Sequence, residues 1–294
     1  MLTAKEIFIE CYRRVFSFLP DKLLTQSLFY LKMGKKLNLK DPKTFNEKLQ
    51  WLKLYDRNPL YTTLVDKYAV KKYIADTIGE EYVIPTLGVW KRFEDINFDK
   101  LPDRFILKAT HDSGTYKVCR DKKTFDYETA RALFRKKLRQ DYYVYTREFP
   151  YKAVKKQIIA EELLQTADNT LPVDYKFFCF DGKADCVMVC VGRGTGKTRF
   201  YFFDKDWNLL RLNPAGIAAA EDFTLPKPAK INEMFDLAEK LSQGIPFVRI
   251  DLYCENDKIY FGEFTFYPSA GFDKNLLPET DLLLGSKINL RSSR

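Results

Sequence analysis

The sequence predicts an α+β protein with a helical first part and a second part built largely from antiparallel strands. Apolar residues recur at spacings of three and four over residues 4–78, which is typical of amphipathic helices. From residue 83 onward, short apolar runs alternate with turn residues, and Asp181-Gly182 between two of them is typical of a β-hairpin. The 294 residues, 46% of them hydrophobic, allow one large domain or two moderate ones with a buried core.

The same patterns give the expected elements. Helices are predicted over residues 4–19, 23–31, 44–54, 61–78, 127–140 and 230–243. Thr44 followed by Glu47 is a capping box, and Gly79 ends the fourth helix. Strands are predicted over residues 83–90, 104–109, 116–119, 157–164, 173–180, 184–191, 199–203, 246–253 and 258–266.

The composition excludes several classes of protein. His111 is the only histidine, which excludes a His-rich metal site, and the six cysteines include no C-x-x-C pair, so neither a zinc ribbon nor thioredoxin-type chemistry is indicated. No apolar run approaches the roughly 20 residues that span a bilayer, and Glu6 and Glu10 argue against a signal peptide. We therefore expect a reduced, cytoplasmic protein.

The net charge of +9 is concentrated in two blocks. Residues 1–60 carry 12 basic and 6 acidic side chains, and residues 131–157 carry 9 basic and 2 acidic ones. Two interpretations stay open: specific surfaces for an anionic partner, or ordinary solvated helix faces.

The N-terminal helix also has two interpretations. It combines basic and aromatic side chains: Arg13, Arg14, Lys22, Phe8, Tyr12, Phe16 and Phe18. Such a helix lies on an anionic membrane surface or packs against the body of the protein.

The segment from Gly192 to Thr198 is not expected to be a phosphate-binding loop, although it is rich in glycine. A Walker A motif needs a glycine where Val191 stands. It also needs a helix after the lysine, whereas residues 198–202 continue as a strand. We expect a hairpin turn instead.

Two segments carry polar residues suited to a nucleotide. Lys108 ends an apolar strand before the turn formed by residues 110–115, and a lysine with turn N–H groups suits a phosphate. The strand over residues 157–164 ends in Glu161 and Glu162, and its edge can meet a purine. Taken singly, each segment is also typical of an ordinary hairpin or strand end.

Two further segments carry paired charges. Alternation places Asp174 and Lys176 on one face of a strand, as a surface ion pair or as a pair in a phosphate cleft. Two later strands place four polar side chains on one side: Arg249, Asp251, Glu263 and Thr265. Two carboxylates across a hairpin suit Mg²⁺, with the arginine facing a phosphoryl or carboxylate oxygen, whereas the alternative is a solvated hairpin face.

In this order, these segments resemble the ATP-grasp superfamily, and most closely its TupA-like branch, which is associated with teichuronopeptide and with capsular or other surface polysaccharide synthesis. The resemblance runs from about residue 37 to 273 and includes residues 41–52, 65–70, 84–90 and 262–268. It implies an ATP-grasp fold in which largely antiparallel sheets sandwich the nucleotide. It further implies a helical N-terminal region over residues 1–82, ATP-grasp domains over 83–294, a lid subdomain at about 104–164 and a catalytic subdomain at about 165–294.

The resemblance also implies ATP and Mg²⁺ as cofactors, with roles for specific residues. The implied ATP contacts are Lys67, Lys108, His111, Ser113, Gly114, Glu161, Glu162, Leu163, Leu164, Asp174 and Lys176. The implied metal ligands are Asp251, Glu263 and Thr265, and the implied catalytic residues are Arg249 and Lys176. Asp112 stands where the family usually has glycine, which predicts a stiffer loop, and Thr265 stands where many members have asparagine.

The activity that the resemblance implies is amide ligation. A substrate carboxylate attacks the γ-phosphate of ATP, and an amine then displaces phosphate from the acylphosphate. The expected substrates are a uronic acid or other carboxylate of a surface glycan and an amine or amino acid, with no nucleic acid. The expected location is the cytoplasm or the cytoplasmic face of the membrane, beside glycan-assembly enzymes. Two alternatives stay open: a sugar phosphotransferase on the same fold, and a non-catalytic basic module that binds an acidic polymer.

Overall fold

The computed structural model describes residues 3–164, 166, 170–192 and 198–290. Its α-helices are α1 (Ala4–Val15), α2 (Asp21–Met33), α3 (Phe45–Tyr55), α4 (Leu60–Val65), α5 (Ala69–Thr77), α6 (Tyr127–Arg139), α7 (Tyr142–Thr146), α8 (Pro214–Ile217), α9 (Ile231–Ser242) and α10 (Pro278–Lys287). Its strands are β1 (Thr86–Trp90), β2 (Phe105–Ala109), β3 (Tyr116–Cys119), β4 (Ile158–Glu162), β5 (Asp174–Phe180), β6 (Lys183–Val191), β7 (Arg199–Phe203), β8 (Leu209–Leu210), β9 (Phe247–Glu255) and β10 (Lys258–Thr265).

Two antiparallel sheets form the second part of the chain. One has four strands in the order β1-β4-β2-β3, and the other has six in the order β10-β9-β5-β6-β7-β8. The ladders between the described strands are all antiparallel. The α+β class is therefore confirmed.

Turn chemistry explains the hairpin between β5 and β6. Asp181 and Gly182 join β5 to β6 with φ values of 46° and 80°, as predicted for this turn. β6 and β7 also pair as hairpin arms, although residues 193–197 of the rejected phosphate loop lie outside the described part of the chain.

Local capping decides where the N-terminal helices begin and end. The capping box at Thr44 and Glu47 is confirmed, since each side chain accepts a hydrogen bond from the backbone N–H of the other. The single helix predicted over residues 61–78 is wrong, because Asp66 interrupts it. The Asp66 carboxylate accepts hydrogen bonds from the N–H groups of Tyr68 and Ala69, so it caps α5 and separates it from α4.

The helices α3 to α5 share one core with the six-stranded sheet. The Phe45 ring meets Phe247 edge-on at 4.8 Å, and the Tyr61 ring lies 4.2 Å from Phe266. The four-stranded sheet packs against α6 in a second core, and α1 and α2 form a third with Phe272. The division of the chain at residues 82 and 83 stays a prediction.

A β-bulge at Gly262 sets which side chains of β10 face β9. The register shifts between Phe261 and Glu263, so that Glu263 lies opposite Asp251 rather than Ile250. Directly opposite residues share a face, so the bulge turns Glu263 toward the acidic side of the hairpin. A Cβ atom at Gly262 would lie 2.9 Å from the Asp251 carbonyl oxygen, which explains the glycine.

Candidate functional site

A cavity of about 540 Å³ is lined by residues of both sheets and of α5. Twelve of the residues predicted for the site line it: Lys67, Lys108, Ser113, Gly114, Glu161, Glu162, Leu163, Leu164, Asp174, Lys176, Arg249 and Glu263. The fold therefore brings together side chains that are nearly 200 positions apart in the sequence.

On the four-stranded sheet, a buried carboxylate lies between two lysines. Glu161 of β4 forms one ion pair with Lys108 of β2, at 2.6 Å, and another with Lys71 of α5, at 2.5 Å. Burial alone would raise the pKa of Glu161, but the two ammonium groups hold this pKa below its ordinary value. Glu161 is thus ionised, and two cations are already oriented at the cavity wall.

On the six-stranded sheet, Asp251 occupies a similar position. Arg249 binds it with both arms of the guanidinium, Nε to Oδ1 at 2.7 Å and Nη2 to Oδ2 at 2.8 Å. Lys176, opposite on β5, also pairs with Asp251 and lies 3.5 Å from Asp174. Burial opposes ionisation of Asp251, but Arg249 and Lys176 hold its pKa below the ordinary value. The carboxylate is 1% exposed and does not line the cavity, whereas its two cations do.

Glu263 and Thr265 complete the polar side of the hairpin. The Thr265 hydroxyl accepts a hydrogen bond from Arg249 at 3.1 Å and donates to Glu263 at 3.4 Å. The Glu263 side chain is 37% exposed and lines the cavity, so it is more accessible than Asp251, whereas Thr265 does not line it.

This set of oxygen donors fits a hard cation such as Mg²⁺, which uses one or two carboxylates and completes its shell with water and phosphate oxygens. Among the described residues, no three histidine, cysteine or acidic side chains are grouped so as to hold a metal ion. Of the two carboxylates, Glu263 is accessible from the cavity, whereas both oxygens of Asp251 are bound by Arg249 and Lys176.

The turn over residues 110–115 is tied at both ends. The Ala109 N–H donates to the Thr115 carbonyl at 3.1 Å, and the Thr115 hydroxyl donates to the Asp112 carboxylate at 2.5 Å. Lys67 donates to the Asp112 carbonyl, and burial lowers the pKa of this lysine. Lys67 therefore touches the turn directly, which follows from its place in the break between α4 and α5.

The structure places His111 away from the cavity lining. Its imidazole is buried, and its Nε2 donates to the Lys137 carbonyl at 3.1 Å, close to the C-terminal end of α6. This contact anchors the turn to α6, so the His111 ring contacts that helix rather than the cavity.

Lys71 and the apolar wall of the cavity were not predicted from the sequence. Lys71 lies on α5 and Lys67 in the break before it, and both line the cavity. Apolar side chains from α5, from both sheets and from the segment just before β1 line the rest of the cavity: Val70, Ile74, Val83, Ile84, Ile106, Phe178, Met188, Phe200, Tyr253 and Phe261. The cavity is thus apolar on one part and cationic on another.

A strained segment closes one side of the cavity. Ser269 and Ala270 have φ values of 51° and 54°, which non-glycine residues rarely adopt, and Ser269 lines the cavity. Lys53 holds the segment by donating to the Ala270 carbonyl at 2.8 Å. Burial lowers the pKa of Lys53 and raises that of Glu148.

The two sheets, with a cavity that is cationic and apolar between them, define a protein of the ATP-grasp class. The family model described as TupA-like ATPgrasp matches residues 47–289, so the chain belongs to the TupA-like ATP-grasp family. ATP-grasp ligases bind ATP and Mg²⁺ and act on carboxylates and amines.

Several solved structures resemble the chain at low identity. D-alanine–D-alanine ligase from Bacillus anthracis, complexed with ATP, is 15% identical over 79% of this chain and 66% of its own, with a TM-score of 0.46. The Helicobacter pylori D-alanine–D-alanine ligase is 13% identical over 84% and 67%, with a TM-score of 0.45. ATP-grasp ligase PsnB with minimal precursor, Mg and ADP is 11% identical over 85% and 66%, with a TM-score of 0.41. The chain thus spans about two thirds of the length of these proteins, and the comparison with curated proteins gives no match.

Proposed function

We propose that this protein is an ATP- and Mg²⁺-dependent carboxylate–amine ligase of surface polysaccharide synthesis. The observation that carries the proposal is the row of five cations at one cavity: Lys67, Lys71, Lys108, Lys176 and Arg249. A triphosphate and a carboxylate are the anions that such a set neutralises best.

The apolar part of the cavity suits the adenine. Leu163 and Leu164 continue from β4 along the cavity wall, and Ile106 and Met188 supply apolar surface from the two sheets. The phosphates then lie toward Lys67 and the lysines that hold Glu161, with Ser113 and Gly114 of the turn beside them. In this arrangement, residues 104–164 act as the lid, residues 165–294 as the catalytic subdomain, and residues 1–82 as the N-terminal support.

Mg²⁺ would be held by Asp251 and Glu263, with Thr265 as a weaker hydroxyl ligand. When bound, the ion neutralises negative charge on phosphate oxygens. Glu263 is the accessible member, because Asp251 is occupied by Arg249 and Lys176.

The chemistry needs positioned charge rather than a nucleophilic side chain. A carboxylate oxygen of the substrate attacks the γ-phosphorus of ATP and releases ADP, which gives an acylphosphate. The amine then attacks the acyl carbon, loses a proton and expels phosphate, which leaves an amide. Arg249 and Lys176 orient the carboxylate and stabilise the charge that develops on the transferred phosphoryl group.

The resemblance to the TupA-like branch and the charge pattern support a proposal for the substrate class. We propose a uronic acid, or another carboxylate of a surface glycan, as the acceptor of an amine or amino acid. Exposed basic residues of the second block offer a surface for such an acidic chain: Lys136, Arg139, Lys152, Lys155 and Lys156. A chain with this role would act in the cytoplasm, at the inner face of the membrane, next to glycan-assembly enzymes.

The test is ADP release by the purified protein with ATP and Mg²⁺ across pairs of glycan acids and amines. We expect ADP, free phosphate and an amide for at least one pair, and hydroxylamine should trap the acylphosphate. Asp251→Ala combined with Glu263→Ala should abolish turnover. Absence of ADP formation with every pair, or full activity of the double variant, contradicts the proposal.

The products also separate the alternatives. A stable phosphoester without an amide would indicate a sugar phosphotransferase. Steeply salt-dependent binding to acidic polymers without nucleotide affinity would indicate a non-catalytic module.

A further inference from the structure

The helix α1 is apolar on two faces. Its inner face packs against α2 and Phe272, through Ile9, Tyr12 and Phe16. Its other face carries an exposed row, here called the outer stripe, which continues into the turn after the helix: Ile7, Phe8, Cys11, Val15 and Phe18. The two interpretations of this helix thus apply to different faces, since packing against the body uses only the inner one.

The outer stripe is continuous rather than scattered. Phe8, Cys11 and Val15 follow one another at spacings of three and four, which lie along one side of α1, and Phe18 follows in the turn after it. The exposed fraction is 57% for Phe8, 63% for Val15 and 76% for Phe18. Single exposed apolar side chains are ordinary, but a contiguous exposed row marks an interaction site.

Basic side chains border the stripe. By helical spacing, Lys5 lies beyond Phe8 on one side and Arg14 beyond Ile7 on the other. Arg14 is 62% exposed and is only loosely paired with Glu10, at 3.5 Å. On α2, exposed Lys22 adjoins exposed Leu23.

This charge decides between two occupants of the stripe. Lys5 and Lys22 are exposed and form no ion pair among the described residues, so a second copy of the chain seated here would bring unpaired ammonium groups together. An anionic lipid surface would meet the same charge favourably, and amphipathic helices with basic borders lie in such interfaces. No helix among the described residues is long and apolar enough to cross a membrane, so the contact would be a peripheral one.

We propose that α1 docks this protein on an anionic lipid bilayer. The outer stripe lies among the outermost acyl-chain segments, and Lys5, Arg14 and Lys22 meet the lipid headgroups. This inference does not depend on the ligase activity, because the stripe is formed by residues that do not line the cavity.

The test is flotation of the full chain with vesicles made of equal amounts of phosphatidylcholine and phosphatidylglycerol. We expect the protein to float with these vesicles, less so at high salt, and to remain behind with pure phosphatidylcholine. Combining Phe8→Ser, Val15→Ser and Phe18→Ser should weaken binding at least about tenfold. Ile217→Ser with Leu282→Ser, which changes exposed apolar residues on α8 and α10, is the matched control and should bind as the wild type does.

A second measurement reports the depth of α1. Cys11 is the exposed cysteine of the stripe, so after Cys254→Ser it can carry a polarity-sensitive fluorophore, whose emission should shift to the blue on anionic vesicles. Failure to float, binding unchanged in the triple variant, or equal binding to neutral vesicles overturns the proposal. So does a stripe-dependent dimer in light scattering, which would identify a second copy as the occupant. Nucleotide binding by the triple variant checks that it is folded.

Discussion

The two sheets each hold a buried carboxylate between two cations, but they do so with different chemistry. Glu161 is held by two lysines from α5 and β2, and it lines the cavity. Asp251 is held by the planar fork of Arg249 and by Lys176, and it is hidden from the cavity. An ammonium is a point charge that exchanges partners readily, whereas a bidentate guanidinium pair has a fixed geometry.

The difference suggests a division of labour. On the four-stranded sheet, nucleotide phosphates can take over Lys71 and Lys108 from Glu161. On the six-stranded sheet, Asp251 keeps Arg249 and Lys176 in place, while the more exposed Glu263 lines the cavity.

The largest effect is expected for Asp251→Asn. It leaves Arg249 and Lys176 buried without their carboxylate, so the free energy of unfolding should fall by about 3–5 kcal/mol. ADP formation should fall by about 100-fold or more, since the cations lose their alignment. Urea unfolding and ADP release measure the two effects. Asp236→Asn, on the surface of α9, is the control and should change stability by less than about 1 kcal/mol. Lost activity with unchanged stability would mean that Asp251 does not hold the two cations.

The next largest loss of stability is expected for Glu161→Gln. Without nucleotide, it leaves Lys71 and Lys108 unpaired in a buried place and should cost about 3 kcal/mol. ATP would supply the missing negative charge, so the rise in Tm on adding ATP should be larger than in the wild type. Glu128→Gln on α6, an exposed carboxylate paired with Arg131, should show the wild-type rise. A smaller rise in the Glu161 variant would rule out the exchange of partners.

Lys108→Ala and Lys71→Ala should each weaken ATP binding. A hydrogen bond to a charged group contributes about 1.5–3 kcal/mol, so the Kd should increase by about 10- to 100-fold. Isothermal titration with ATP and Mg²⁺ measures this, and exposed Lys123→Ala serves as the control. If Lys71→Ala bound ATP normally, Lys71 would pair with Glu161 only and would not contact the nucleotide.

The smallest effect concerns pH. The pKa values of Glu161 and Asp251 are lowered from 4.5 and 3.8, so both carboxylates stabilise the folded chain above these ordinary values. This stabilisation is lost as the pH falls through the lowered values in the folded state. Urea unfolding from neutral pH down to about pH 3 should therefore show a steeper acid loss in the wild type than in Glu161→Gln. Parallel curves would contradict the lowered pKa of Glu161.

Short-range rules predicted much of the fold. The Thr44 capping box, the Asp181-Gly182 turn and the alternation around Asp174 and Lys176 act within a few residues, so they can be recognised in the sequence. The break at Asp66 was missed because a carboxylate cap overrides apolar periodicity without changing it.

The candidate site was harder to predict, because its contacts are long-range. The sequence identified Glu161 by its place at a strand end but not its ion pairs, since these depend on where α5 packs. Lys71 looked like any lysine on a helix surface until the fold placed it at the cavity. His111 sits beside site residues in the sequence, yet its ring turns to the α6 carbonyl. Residues that are adjacent in the sequence therefore need not point into the same cavity.

The extra residue at Gly262 makes chain length itself a constraint on the β9–β10 hairpin. Buried apolar residues of the second arm fall at 259, 261, 264 and 266, and the single step of three marks the inserted position. Without the bulge, the same sequence would alternate strictly, so that Phe264 would point to solvent and Thr265 into the core. An insertion or deletion at another position within this arm would likewise exchange the two faces for the residues that follow. Variation among related chains should therefore appear at this hairpin as substitutions, while insertions and deletions accumulate elsewhere.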